Sequence, residues 1–470
     1  MNFDEVLSHI GGFGKFQKTL YVWICLPQIL LAFHMLVSVF TGAVPPHLCR
    51  STWPPASTPS SHLNFSLVSS PGWDPSLSCT APLLLQGLQP NYSTDLPPTN
   101  SCHGGWDFSK ENFQSTVVTE WELVCDNAML NNIGSSIYMF GLLVGAVLFG
   151  TEWTGRKHRM LAGIITDYFF GFGYILLAGV AYLIRDWRKL QLAISAPGFL
   201  FIFYVWVLPQ SARWLMANKR KTEAMELIRK AAKENGKPLN IDIELCQEHK
   251  DLENNVEKNK YTVIDLIRTP KMRRRTLILF YLWFVNVLVY YGLSLNVSDF
   301  GTNIYLTQFI FGLVEMPART ITLFTLNRSR RFSMFSFIAI GGVACLFITV
   351  IPNELSVLRT ILAMVGKFGI TASLSIVYVY SAEIFPTIIR QSGIGMSSMC
   401  ARTGGIIAPI IYLSQSYSKE APMAVFGLCA LLGAGLTLLL PETANTPLPD
   451  TIRDVEQGFH RYAPLGQLFT

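Results

Sequence analysis

The stretch T-L-I-L-F-Y-L-W-F-V-N-V-L-V-Y-Y-G-L-S-L-N, Thr276 to Asn296, holds no charged residue and follows directly on the basic run Lys271-Met272-Arg273-Arg274-Arg275. As a helix rising about 1.5 Å per residue, it is long enough for the roughly 30 Å hydrocarbon core of a bilayer. In lipid the backbone must satisfy its own hydrogen bonds, so such a run reads as a membrane helix entered from a basic, cytoplasmic side. Nine further blocks of the same kind surround it: roughly 17–40, 133–150, 160–184, 190–208, 303–326, 332–351, 356–381, 391–413 and 421–441. Composition agrees. Half of the 470 residues are hydrophobic and 14% are charged, where a soluble chain carries about a quarter; the mean hydropathy is +0.34. The expectation is an all-α membrane protein of ten spans.

Charge sets the orientation. The segment Thr41–Asn132 carries two basic residues, Arg50 and Lys110, against seven acidic ones, whereas the segment 209–275 carries sixteen Lys and Arg. Basic residues close to spans stay cytoplasmic, so the first segment is expected outside, the second inside, and both termini inside. Met1 to Lys15 carries Asp4 and Glu5, unlike a cleavable leader, so the first span reads as an uncleaved anchor. Four of the nine cysteines, Cys49, Cys79, Cys102 and Cys125, fall in the outer segment. That even number in an oxidising compartment predicts disulfides, with three pairings possible. Asn64-Phe65-Ser66 and Asn91-Tyr92-Ser93 are glycosylation acceptors there; Asn327-Arg328-Ser329 has the same pattern but lies in a basic inner turn. In the inner segment, Thr222 to Lys233 places Ala224, Leu227, Ile228 and Ala231 on one helical face, which predicts a solvated amphipathic helix. The domain reading is a first membrane half at 1–208 with its outer loop at 41–132, a linker at 209–275, a second half at 276–441 and a tail at 442–470.

Several motifs carry a family resemblance: Gly105-Trp106-Asp107-Phe108, then S-T-V-V-T-E-W-E-L-V-C from Ser115 to Cys125; P-Q-S-A-R-W-L from Pro209 to Leu215; Y-S-A-E-I-F-P-T-I-I-R-Q-S-G-I-G from Tyr380 to Gly395; and L-P-E-T from Leu440 to Thr443. In this order they resemble the organic ion transporters of the solute carrier class, within the major facilitator superfamily. The tail Pro447-Leu448-Pro449-Asp450-Thr451-Ile452 looks like the organic anion branch. The resemblance implies a major facilitator-type helical bundle with substrate at the interface of two halves. It also exposes a departure. Gly150 runs straight into Thr151-Glu152-Trp153, a Glu-Trp pair that follows the fourth span in relatives. The third and fourth of twelve spans, with the basic loop between the second and third, are therefore expected to be absent, leaving a shortened N-terminal half and about ten helices.

An ionisable residue at bilayer depth costs about 2.5–3.5 kcal/mol on insertion scales and asks for a reason. Arg402, in A-R-T-G-G, matches an arginine of the anion branch and could present its fork to a carboxylate or sulfate. Arg319, in E-M-P-A-R, sits four residues after Glu315, a possible intrahelical pair. Lys367 and His34 are further candidates, each with the alternative of a packed, helix-bridging role. Aromatic walls could come from Trp283, Tyr290 and Tyr291, though aromatics are common in all membrane helices; Tyr378 and Tyr380 belong to the same group. Summing Arg319, Arg402 and Lys367 against Glu315 predicts a cavity biased positive. Glu383 and Arg390, flanking Pro386, are read through the family as a salt-bridge gate. The turn Asn327 to Arg331, without its family glycine, predicts a weakened gate.

The expected function is plasma-membrane transport of amphipathic organic anions by alternating access, as uniport or exchange, with a dicarboxylate as a candidate counter-substrate and the bilayer as environment. A non-transporting short form and an organic cation or zwitterion transporter are the alternatives. No cofactor, metal or nucleic-acid partner is expected. H-E-x-x-H, G-x-S-x-G and P-loop motifs are missing from the sequence, which argues against an enzyme.

Overall fold

A computed structural model describes residues 14–49, 102, 105–148, 159–204, 215, 220–236, 264–295 and 303–457 except 327, 353, 417, 419, 445, 447, 448 and 450. Ten helical segments follow the apolar blocks: α1 (Lys15–Leu36), α2 (Ala128–Leu148), α3 (Arg159–Leu183), α4 (Trp187–Ser195), α5 (Pro270–Leu295), α6 (Ile304–Leu326), α7 (Arg330–Val350), α8 (Ser356–Ile384), α9 (Arg390–Tyr412) and α10 (Ala421–Thr437). Seven helices among the described residues are long and apolar enough to cross a membrane. They run between a face carrying the 41–132 segment, called the loop face below, and a face carrying the basic turns.

The fourth block differs from a plain span. Its α-helix ends at Ser195 and the chain continues as a 3-10 helix, Ala196–Phe203. Eight residues is long for that geometry. Pro197 gives the physical reason: it lacks the N–H that an α-helix would bond to the carbonyl four residues back. One small sheet departs from the all-α expectation. His47–Cys49 (β1) pairs antiparallel with Trp106–Phe108 (β2), His47 opposite Phe108, and closes the base of the outer segment. Cys102 and Cys125 each take part in a disulfide. Cys79, Asn64, Asn91 and the 150–153 junction lie outside the described residues.

The amphipathic inner helix is present, at Lys221–Glu234, with Ala224, Ile228 and Ala231 buried. It is docked, not solvated on its own: Asn235, which follows it, accepts from the Phe16 amide at 3.0 Å and donates to Gln17 at 2.8 Å. The helix thus caps the start of α1, satisfying a donor that an α-helix leaves orphaned.

Packing relies on close helix crossings. A Cβ on Gly404 of α9 would lie 2.4 Å from the carbonyl oxygen of Phe284 on α5, so only glycine lets α9 lie against α5 there. Gly312 of α6 meets Ile175 of α3 in the same way, its Cβ position 2.8 Å from the Ile175 side chain. Small residues that let backbones approach are the usual device of membrane helices, where burial of apolar surface drives little association. The exposed large residues Ile137, Phe140, Phe324, Phe332 and Phe347 are the lipid-facing complement of this interior.

Candidate functional site

Seven side chains from four helices meet in the interior of the bundle. Glu315, fully buried on α6, accepts from Arg319 Nη2 at 2.8 Å and from the Tyr290 hydroxyl of α5 at 2.5 Å, and lies 3.3 Å from Lys367 Nζ of α8. Arg319, 4% exposed, also donates to the main-chain carbonyl of Asp167 on α3, whose carboxylate is 3.5 Å away. Lys367, with no exposed surface, donates to the Ser294 hydroxyl and sits 3.1 Å from the centroid of the Tyr290 ring. Ser294 in turn bonds the Tyr290 carbonyl at 2.6 Å, and Gln308 donates to the Ser294 carbonyl at 3.0 Å. The i,i+4 pairing of Glu315 and Arg319 is as the spacing predicts.

Four of the expected binding residues lie in or beside this network. Lys367 and Tyr290 spend their polar groups on protein partners, and Arg319 spends both Nη groups there while its Nε is buried without one. Trp283 is 1% exposed, its indole N–H donating to Ser381 at 2.8 Å and its ring edge-on to Tyr378. All four contact protein partners in this arrangement. The expected positive bias is corrected: Arg319 and Lys367 are balanced by Glu315 and by Asp167, a residue the sequence left without a role. A buried cation needs its partner, so the acids had to be somewhere.

One cation remains outside the balance. Arg402, half-buried on α9, makes no hydrogen bond or ion pair with any described residue, and its Nε is buried without a partner. Orphaned buried donors are uncommon and call for an explanation such as a ligand or water. Tyr291 and Tyr378 lie within electrostatic reach of the Arg402 guanidinium. Tyr378 is 48% exposed and lies edge-on to Trp283. The Asp167 side chain is 37% exposed. Tyr291 donates to the Met35 sulfur of α1 at 3.3 Å, bringing the first helix to the same place. His34, half-buried one residue before, makes no hydrogen bond with described residues. Gly404 and Gly405, in the same turn as Arg402, hold this part of α9 against Phe284 and Tyr291.

Glu383 and Arg390, the two residues expected to form a gate, have the following partners at the basic face. The ion-pair partner of Glu383 is Arg330, at 3.2 Å, and Thr443 donates to it at 2.6 Å. Arg390 donates to the Phe385 carbonyl and the Thr387 hydroxyl, bracing its own turn. Nor is the Arg328–Arg331 turn weakened. The Glu442 carboxylate of the L-P-E-T motif accepts from the Arg330 amide at 2.9 Å and from the Ser329 hydroxyl, placing negative charge at the start of α7 where the helix dipole favours it.

Known proteins agree with this architecture. Residues 162–453 match the family described as sugar (and other) transporter. Solute carrier family 22 member 13 of Homo sapiens is 36% identical, the match spanning 98% of this chain and 94% of that protein. The organic cation transporter protein of Drosophila melanogaster is 35% identical over 99% of this chain and 96% of its own length. This chain belongs to the organic ion transporters of solute carrier family 22. Another member, solute carrier family 22 member 6-A of Xenopus laevis, is 33% identical over 97% of the chain and 94% of its own length. Among solved structures, the partially occluded inward-open xylose transporter XylE of E. coli aligns with 68% of this chain and 69% of its own at a TM-score of 0.49 and 14% identity. Like the rest of the family, this transporter is a multi-pass helical membrane protein that moves small organic solutes and carries out no covalent chemistry.

Proposed function

We propose that this member moves amphipathic organic anions across the plasma membrane by alternating access, as uniport or exchange against an anion such as a dicarboxylate, with both termini cytoplasmic and the 41–132 segment outside, glycosylated at Asn64 and Asn91. The observation that carries the reading is the Arg402 guanidinium, without a partner among the described residues and within electrostatic reach of the half-exposed Tyr378. A carboxylate or sulfate there would gain a charge-assisted, bidentate partner, while Tyr291 and Tyr378 supply apolar surface for the rest of the solute. Arg319 and Lys367 act indirectly, by holding α3, α5, α6 and α8 together.

The loss of the third and fourth family helices, with a first half of four spans and a second of six, is part of the same proposal. Its support is that the matches to relatives extend over 531 and 528 aligned positions, more than the 470 residues of this chain. The relatives therefore carry residues that this chain lacks.

A second reading is favoured by the half-exposed Asp167 carboxylate, which could receive an organic cation. Purified protein separates the two. Aromatic carboxylates and sulfates should raise its melting temperature, and Arg402→Ala should remove that effect while leaving the ligand-free melting temperature nearly unchanged. Stabilisation by quaternary ammonium compounds alone, sensitive to Asp167→Asn, would replace the anion reading.

A further inference from the structure

On the loop face, α6 of the second helical group meets the first group around one aromatic residue, Tyr305. Its ring stacks on Phe40 beyond the end of α1, with centroids 5.5 Å apart and planes 13° apart. It lies edge-on to Tyr182 of α3 at 5.7 Å and tilts against Phe113 of the outer segment at 5.7 Å. The Tyr305 hydroxyl donates to the main-chain carbonyl of Asn112 at 2.9 Å. Of the residues lining the small hollow at this junction, Tyr305 is the only one from α5 to α10. It is a ring of one group seated in a socket made by the other.

The part of the outer segment that holds Tyr305 is itself fastened to the α3–α4 turn. The Gln114 amide donates to the Arg185 carbonyl at 3.1 Å, the Trp187 amide to the Ser115 carbonyl at 3.2 Å, and the Arg185 guanidinium to the Glu111 carbonyl at 3.2 Å. Farther along, Glu120 accepts from the Trp187 indole at 2.9 Å and pairs with Arg188. The Arg188 hydrogen bond holds the Glu120 carboxyl below its usual range, so the fastening stays charged at neutral pH. The strap 111–121 therefore moves with α1–α4, and the Asn112–Tyr305 bond crosses between groups. At the basic face α1 is bonded to α3 through Tyr21 and Thr166, and to the inner linker through Phe16 and Asn235.

We infer that Tyr305 is the gate residue of the loop face: its seat in the socket of Phe40, Phe113 and Tyr182 closes the central cavity on that side, and its withdrawal accompanies opening. The inference rests on the chain being a membrane transporter and is independent of whether the solute is an anion.

The test uses thiol access, so no solute has to be known. Met35→Cys, beneath the gate and against Tyr291, serves as reporter with Cys25, Cys246, Cys345, Cys400 and Cys429 replaced by Ser. The probe is a membrane-impermeant methanethiosulfonate carrying a quaternary ammonium, applied separately to each side of the membrane. Tyr305→Phe, which keeps the ring and loses the bond to Asn112, should speed modification from the loop face about 2- to 10-fold, the shift expected for one hydrogen bond. Tyr305→Ala should speed it further. Joining Asn112→Cys to Tyr305→Cys with a short bis-maleimide should abolish loop-face modification and leave modification from the basic face intact. Unchanged loop-face rates in the Phe variant, or modification that persists from the loop face after cross-linking, would overturn the gate. A purely structural strap would lower surface abundance of these variants without changing the sidedness of labelling. If Tyr305→Ala fails to reach the membrane, the Phe variant and the cross-link decide.

Discussion

Glu315 holds two cations and a phenol at once, and its removal should be the costliest single change in the membrane interior. Glu315→Gln leaves Arg319 and Lys367 buried with one negative partner fewer, for which about 3–5 kcal/mol of destabilisation is expected, read as a large fall in melting temperature of the detergent-purified protein. Asp167→Asn should cost clearly less, because the Asp167 side chain is 37% exposed and Arg319 keeps both Glu315 and the Asp167 main-chain carbonyl. Equal effects from the two changes would contradict the account of the network. At this scale the sequence was legible along a helix and silent across helices. The Glu315–Arg319 pair follows from spacing alone, but Lys367 and Asp167 arrive from α8 and α3, and nothing local announces that they complete the balance. For the same reason Trp283 looked free. Its partner, Ser381, stands almost a hundred positions later. The signal that could have flagged Asp167 is the one that flagged Arg402, a charge inside an apolar block.

The helices themselves were largely legible, since a bilayer forces long apolar runs into a single secondary structure. The departures are where backbone chemistry overrides hydropathy. Pro197 in the fourth block and the three-residue strands at the base of the outer segment gave no apolar-length signal. Helix crossings offer a direct check. Gly404→Val sets a branched side chain against the Phe284 carbonyl and should lower the melting temperature, by about 1–3 kcal/mol of overpacking strain. Gly435→Ala on α10 is the control, since nothing lies within 4 Å of the added Cβ; it should leave stability unchanged or improve it slightly through helix propensity. At the basic face, Glu442→Gln removes the charge at the start of α7 while keeping an acceptor. A modest loss, about 0.3–1 kcal/mol, is expected from the dipole term, and raised ionic strength should shrink the difference between the variant and the parent protein. A loss insensitive to salt would assign Glu442 a packing role instead.

On the scale of the whole molecule, four helices are tied by a balanced ion network, the loop face is drawn together around Tyr305, and the Arg402 guanidinium has no partner among the described residues. That division of labour separates residues that hold the bundle from the residue proposed to meet the solute. It also sets a stringent requirement on the first half as proposed above: without the two family helices, the bundle must still reach the cell surface and open alternately to the two sides. The measurement that tests this most directly is uptake of labelled organic anions and cations in cells expressing the chain or Arg402→Ala, with surface biotinylation of both. The account predicts anion uptake that falls at least about tenfold in Arg402→Ala, the effect of losing roughly 1.4 kcal/mol or more of a charge-assisted contact, at equal surface abundance. Normal surface abundance of the parent chain with no anion uptake, or anion uptake unaffected by Arg402→Ala, would contradict it.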